Sequence, residues 1–263
     1  MMLSRAELKS FVRSAAKELS RDPDFAEFEI YAASSEQRIA RLAYTSDIPS
    51  RGVEEIKSLG ADGFQVRIVR SRDRHEIGTA SEAGDLSREA LRGAIERACR
   101  AAIVDPHFSG LARDQRKLAT SAGGASDLAR ASDSMLTASA WQLIGGALAA
   151  FHAGYKNSSA HPGLVIGGDL SLVHDRIAIA GSNLADVRTD ESAHFVSSVT
   201  AIVESMDGKG TDTAVGRSVE QMRGAVATLG HNAVRRALGL GAVHPFGPEG
   251  LSEYVPGARP EKE

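Results

Sequence analysis

The feature that most limits what this chain can fold into is a switch in hydrophobic period. Ser4-Arg5-Ala6-Glu7 has the form of a capping box, and Leu8, Phe11, Val12, Ala15 and Leu19 follow at helical spacing. Residues 5–20 are therefore an amphipathic helix with one apolar stripe. From Phe28 the period becomes two. Phe28, Ile30 and Ala32 alternate with polar residues before a Ser34-Ser35 turn, and a second run passes through Ile39 and Leu42. Two more strands are expected around a turn at Gly60–Gly63, the later one carrying Phe64, Val66 and Ile68, and "HEIGTAS" at 75–81 adds another. A second amphipathic helix runs from Ser87 to about Val104, with Leu91, Ala94, Ile95, Ala98 and Ala102 on one face. Residues 5–104 thus read as helix, antiparallel meander of about five strands, helix, because a one-sided helix and a one-sided sheet each need the other.

The same organisation returns in the second half. Residues 105–134 are rich in Gly, Ser, Ala and Asp and form a connector. A third helix covers about 134–153, with Leu136, Trp141, Ile144, Leu148 and Phe151. β-rich runs broken by Gly and Asn turns follow, with Val196, Val199 and Ile202 in a partly buried strand, and a last helix spans about Ser218 to Leu238. The expected fold class is α+β: antiparallel β-meanders flanked by helices, in two lobes. The lobes are residues 1–111 and 134–245, with a connector at 112–133 and a flexible tail at 246–263.

Composition excludes several function classes. With 263 residues, 42% of them hydrophobic, the chain holds an ordinary globular core. Its 31 basic and 34 acidic residues give a net charge of −3, so nothing attracts it in bulk to nucleic acid or anionic membrane. A single cysteine, Cys99, excludes an internal disulfide and fits a reducing compartment. The start lacks the apolar core of a signal peptide and no run of about 18 apolar residues occurs, so the cytoplasm is the expected location.

Catalytic patterns are missing from the sequence. His75-Glu76 would open a zinc helix only with a second histidine one turn on, and position 79 is Thr79. The eight histidines never fall three, four or five residues apart. There is no G-x-S-x-G elbow, and the glycine pair in "VIGGDLS" reads as a bulge or turn. Arg88, Arg92, Arg97 and Arg100 form a solvated helix face beside Glu89 and Glu96. Gly60, Gly63 and Gly78 serve backbone geometry, and Trp141 is expected in a core or subunit interface. The binding candidates are Arg67 and Arg70, which could meet a peptide carboxylate or an acidic partner from their strand.

One further pattern carries a family resemblance. Glu55, Ser58, Gly60, Gly63, Val66, Ile68, Gly78, Ala80, Ser81, Asp85, Leu86, Ser87, Leu91 and Ala98 recur in order and spacing, with Pro106, Phe108, Gly110 and Leu111 behind them. Over about eighty residues this resembles the amino-terminal region of the TldD/PmbA family, the proposed modulators of DNA gyrase, and the later "IAIAGSNLADVRTDESAHFVSSVTAIVE" is similar to the family's second segment. The resemblance implies a metallopeptidase system whose zinc-binding HExxxH helix and further Cys ligand lie in a carboxy-terminal domain beyond this chain. It therefore implies no catalytic or metal-binding residue here, and zinc only on a catalytic partner or missing domain. The implied partners are a TldD-like zinc-carrying subunit, or a homo-oligomer, and an unfolded peptide, with no direct contact to nucleic acid or membrane. An exposed sheet edge would accept the peptide through main-chain hydrogen bonds. The alternatives are a metallopeptidase whose zinc residues lie on a downstream segment, and a gyrase-associated regulator acting through protein contacts.

Overall fold

The structure is a computed structural model that describes residues 2–48, 51–71, 75–111, 113, 127–155, 163–204 and 207–239. Helix α1 (Arg5–Leu19) starts as its capping box predicts: Ser4 Oγ accepts the Glu7 N–H at 3.2 Å, and a Glu7 carboxylate oxygen accepts the Ser4 N–H at 2.7 Å. Its stripe of Leu8, Val12, Ala15 and Leu19 is buried. The chain continues through β1 (Phe25–Thr45), β2 (Lys57–Ser71), β3 (His75–Ala83), α2 (Arg88–Arg100) and the two-residue β4 (Ile103–Val104). A 3₁₀ turn at Asp127–Arg130 leads into α3 (Asp133–Gly154), followed by β5 (Leu164–Gly181), β6 (Arg188–Val203), β7 (Gly208–Gly216) and α4 (Val219–Ala237). All seven strands form one antiparallel sheet in the order β4-β3-β2-β1-β5-β6-β7. The class is α+β.

Apart from the two-residue β4, that strand order is symmetric about the β1–β5 seam. The unit α1-β1-β2-β3-α2 and the unit α3-β5-β6-β7-α4 have the same connectivity, and antiparallel pairing of β1 with β5, from Glu29↔Gly181 to Thr45↔Val165, joins them about a pseudo-twofold axis. The four α-helices among the described residues lie on one face. The even-numbered residues of β1 and β5 point to that face, where Phe28, Ile30, Ala32, Ala178 and Ala180 meet α1 and α2, while Ala40, Leu42, Leu164, Ile166 and Leu170 meet α3 and α4. One sheet thus carries two separate cores.

Three local expectations are corrected. Ser34-Ser35 is no turn, because β1 runs unbroken for 21 residues. Serine makes a turn when its hydroxyl bonds its own backbone. Here Ser34 Oγ, fully buried, accepts the Leu3 N–H at 2.9 Å, and the Ser35 hydroxyl donates to Asp175 at 2.6 Å. Gly60–Gly63 also lies inside a strand, in register opposite Glu36 to Ala33. The glycine at 63 permits close strand approach, since a Cβ there would sit 2.7 Å from the Glu82 carbonyl oxygen. The expected five short strands are therefore three long ones and β4. Finally, the second helix stops at Arg100, and Ile103–Val104 leaves it to pair with β3.

The expected 112–133 connector contains the Asp127–Arg130 turn, whose Leu128 joins the second core; residues 112 and 114–126, and the tail, lie outside the described residues. In α3, Leu136, Leu143, Ile144 and Phe151 are buried, whereas Trp141, expected in a core or interface, is 45% exposed and lies across Gly52. This is the one described helix long and apolar enough to span a membrane, and its apolar face packs into the protein.

Candidate functional site

Between the two cores the helix face of the sheet turns polar. Ser34, Glu36 and Arg38 of β1 and His174 and Arg176 of β5 occupy the even positions there, and Glu191 of β6 completes the band. One Glu191 carboxylate oxygen lies 2.8 Å from His174 Nε2 and 2.9 Å from Arg176 Nε, and the other lies 3.2 Å from Arg5 Nε. Arg176 also donates to the Leu3 carbonyl at 3.2 Å, which ties the start of α1 to the sheet. On the other side of the band Arg38 Nη1 reaches Asp133, in the first turn of α3, at 2.9 Å. Burial pushes the Glu191 carboxyl up, but hydrogen bonds and charge from Arg176 and His174 outweigh it and hold the group below the ordinary carboxylate range. A carboxylate so held is a fixed counter-ion and a poor proton acceptor. The band fastens helices to the sheet.

The stretch of β3 that β4 leaves unpaired and the β7 edge are also occupied. Arg97 of α2 donates to the Ser81 carbonyl at 3.1 Å and to the Glu82 carboxylate at 2.6 Å. Arg236 of α4 does the same to the Thr211 carbonyl and, at 2.8 Å, to Asp212. The pair is related by the pseudo-twofold axis, as is a close backbone approach: Cβ atoms at Gly78 and Gly208 would lie 1.9 Å from the Ala98 and 2.1 Å from the Ala237 carbonyl oxygens. An arginine on an edge carbonyl removes an acceptor that an added strand would need. Arg97 is thus not part of a merely solvated face, and Arg88 and Arg92 both bind Glu18 of α1 rather than Glu89 or Glu96, at 2.9 and 3.1 Å.

The two candidate arginines are not brought together. Arg67 and Arg70 are three residues apart on β2 and so point to opposite faces. Arg67 lies 3.8 Å from Glu29 on the helix-free face; Arg70, on the helix side, lies 3.8 Å from Glu76, and its Nε is buried without a hydrogen bond. His75 opens β3 and packs edge-on against Phe108, with ring centroids 5.9 Å apart. Six of the eight histidines fall among the described residues, and no three His, Cys, Asp or Glu side chains there converge as a metal set.

The surface that remains is the helix-free face of the sheet, which the sequence reading did not single out. An antiparallel sheet with one solvated face normally puts polar residues outward. Among the described residues, six of the nine exposed large apolar side chains lie on it: Tyr31, Leu59, Ile103, Val196, Ile202 and Val215. One corner shows the effect of covering this face. Residues 105–111 cross it, the Leu111 N–H donates to Glu27 at 2.6 Å, and Val69 beneath is fully buried. The signal was present in β6, where Phe195, Val199 and Ala201 point inward while Val196 and Ile202 are apolar in the opposite phase.

No family model and no curated protein matches the sequence. Solved structures do match the fold. TldE from Thermococcus kodakarensis superimposes with a TM-score of 0.56 at 18% identity, over 89% of this chain and 47% of that one. Two proteins named putative modulators of DNA gyrase behave alike. The one from Bacteroides thetaiotaomicron gives 0.60 at 15% identity, over 88% of this chain and 49% of its own. The one from Thermotoga maritima gives 0.52 at 14%, over 90% and 49%. The chain spans about half the length of these structures. The TldD/PmbA resemblance in the sequence therefore holds in three dimensions, and nearly the whole of this chain carries the fold of TldE and of the gyrase-modulator structures.

Proposed function

We propose that this chain is a non-catalytic binding component of a TldD/PmbA-type peptidase system, acting in the cytoplasm, where it engages a zinc-carrying TldD-like subunit and helps to hold an unfolded peptide. The observation that carries this reading is the extent of the match: about nine tenths of this chain corresponds to about half of TldE and of the gyrase-modulator structures. The absence of HExxxH from these 263 residues supports placing the hydrolytic step outside them. The arginines on Ser81 and Thr211 favour docking through the helix-free face over strand addition at the edges. Arg67, on that face, is the candidate that reaches a partner; Arg70, on the helix side, is not.

The test is co-expression of this chain with a TldD-like subunit from the same host, affinity isolation, and measurement of zinc content and hydrolysis of an unfolded peptide. Co-isolation of a zinc-loaded subunit whose peptidase activity depends on this chain is expected. Peptide hydrolysis by the purified chain alone would overturn the reading, as would failure of the two chains to associate.

A further inference from the structure

We infer that the furrow between α1 and α2 is a docking site for a basic amphipathic helix of a partner protein. The furrow exists because the two halves of the molecule pack their helices differently. Counted from the serine caps, Phe11 and Glu18 of α1 stand where α3 has Ser139 and Gly146, and Cys99 of α2 stands where α4 has Gly230. The small residues let α3 and α4 touch through their main chains: a Cβ at Gly230 would lie 2.0 Å from the Leu143 carbonyl oxygen. The bulkier set holds α1 and α2 apart, and Glu18 bridges them by accepting Arg88 at 2.9 Å and Arg92 at 3.1 Å. What remains is a furrow of two wells, about 370 and 220 Å³, that share Glu18. Partly buried Phe11 and Leu86 line the first and partly buried Phe25 and Ile95 the second, so apolar surface is left open in both.

Backbone, spacing and charge select the occupant. The walls are largely helix, whose main-chain groups bond within their own turns, so an extended peptide would find no row of free N–H and C=O groups as it would at a sheet edge. A guest must satisfy its own backbone, and a helix does. Phe11 and Leu19 mark the two wells on α1, about 12 Å apart at about 1.5 Å per residue. Two helical turns cover about 11 Å, so apolar side chains at i and i+7 of a helix laid along α1 enter one well each. Glu7, Glu18, Asp22 and Glu96 line the wells against Arg88 and Arg92, and both arginines are engaged by Glu18. The rim therefore carries excess negative charge, which attracts lysines and arginines beside an apolar stripe and repels an acidic helix.

The furrow lies across the sheet from the face assigned to the zinc-carrying subunit, and its test needs neither that subunit nor zinc. Fluorescence anisotropy of a labelled peptide of repeating Leu-Lys-Lys-Leu-Leu-Lys-Lys, titrated with the purified full chain, should show saturable one-to-one binding. A scrambled peptide of the same composition keeps the charge and loses the apolar stripe, and a Leu-Glu-Glu-Leu-Leu-Glu-Glu peptide keeps the stripe and reverses the charge. Each should bind roughly ten-fold more weakly or worse. Ser10→Lys/Ser14→Lys places two cations on exposed positions of the α1 wall, where they cancel the excess negative charge and crowd the first well. This variant should weaken binding roughly ten-fold with its folded circular dichroism unchanged, whereas Thr228→Lys, at an exposed position of α4, should bind as the wild type does. No binding of the Leu-Lys peptide, equal binding of the scrambled or the acidic peptide, or indifference to Ser10→Lys/Ser14→Lys overturns the inference.

Discussion

Helix α2 rests on bare backbone, so one methyl group at Gly78 should lift it. A Cβ there would lie 1.9 Å from the Ala98 carbonyl oxygen and 2.7 Å from its carbonyl carbon. Real Cβ contacts do not fall below 3.0 Å, so the helix must retreat by about 1.1 Å. A gap of about 1 Å forfeits roughly a quarter to a half of each dispersion contact it opens. The contacts at stake are those of Leu91, Ala94 and Ala98, all buried against the sheet. Overpacking of this kind costs about 1–3 kcal/mol. The rigidity of an opposing main chain places Gly78→Ala near the top of that range, and at about 2–4 °C per kcal/mol for a chain of this size Tm should fall by about 5–10 °C. Gly60→Ala is the control, because its nearest atom would be 3.9 Å away, and it should hold or slightly raise stability by restricting the unfolded chain. Thermal melts by circular dichroism, checked by urea titration, decide the matter. A Gly78→Ala protein with wild-type Tm, or a Gly60→Ala protein equally weakened, would refute the account of α2 as a helix seated on a glycine.

Other outcomes follow from the same geometry. Gly208→Ala should reproduce the Gly78 loss at the symmetry-related position, where the Cβ would lie 2.1 Å from the Ala237 oxygen. Glu191→Gln leaves Arg176, His174 and Arg5 without their counter-ion and should cost about 3 kcal/mol by chemical denaturation. Because the folded-state pKa of Glu191 is lowered, its contribution is complete above the unfolded carboxylate value, near about 4.3, and is lost as pH falls through the lower folded value. The wild-type protein should therefore lose stability more steeply than Glu191→Gln over that acid window, and parallel profiles would contradict the assignment. Arg97→Ala and Arg236→Ala uncover the edge carbonyls of Ser81 and Thr211, and the double variant should form larger assemblies in light scattering at protein concentrations where the wild type does not.

Much of the fold was legible because the helices announce themselves. Ser4, Ser87, Ser132 and Ser218 all cap helices through their hydroxyls, and the apolar stripes of α1 and α2 face the core as their spacing requires. The strand lengths were not legible. Ser34-Ser35 and Gly60–Gly63 carry turn chemistry in the sequence, and only partners distant in the chain, Leu3, Asp175 and Glu82, reveal that they lie in straight strands. The relative placement of Arg67 and Arg70 was open to reading, since an odd separation in a strand assigns opposite faces. The polar band around Glu191 was not, because Arg5, His174, Arg176 and Glu191 come from three elements whose neighbours no local pattern specifies. The helix-free face was partly visible as apolar residues in both phases of β6, a pattern that signals cover on both sides.

The symmetric strand order has a consequence for how such a fold can arise. A chain of half this length, one helix followed by three strands and a second helix, would leave the inner edge of its first strand bare while an arginine latched its outer edge. Two such chains would close that vulnerability only by joining inner edge to inner edge, which is the β1–β5 seam from Glu29↔Gly181 to Thr45↔Val165. Geometrically the seam has the form of an interface between two half-length chains, and the Arg5–Glu191 and Arg38–Asp133 pairs are the side-chain bonds that would fasten one such half to the other.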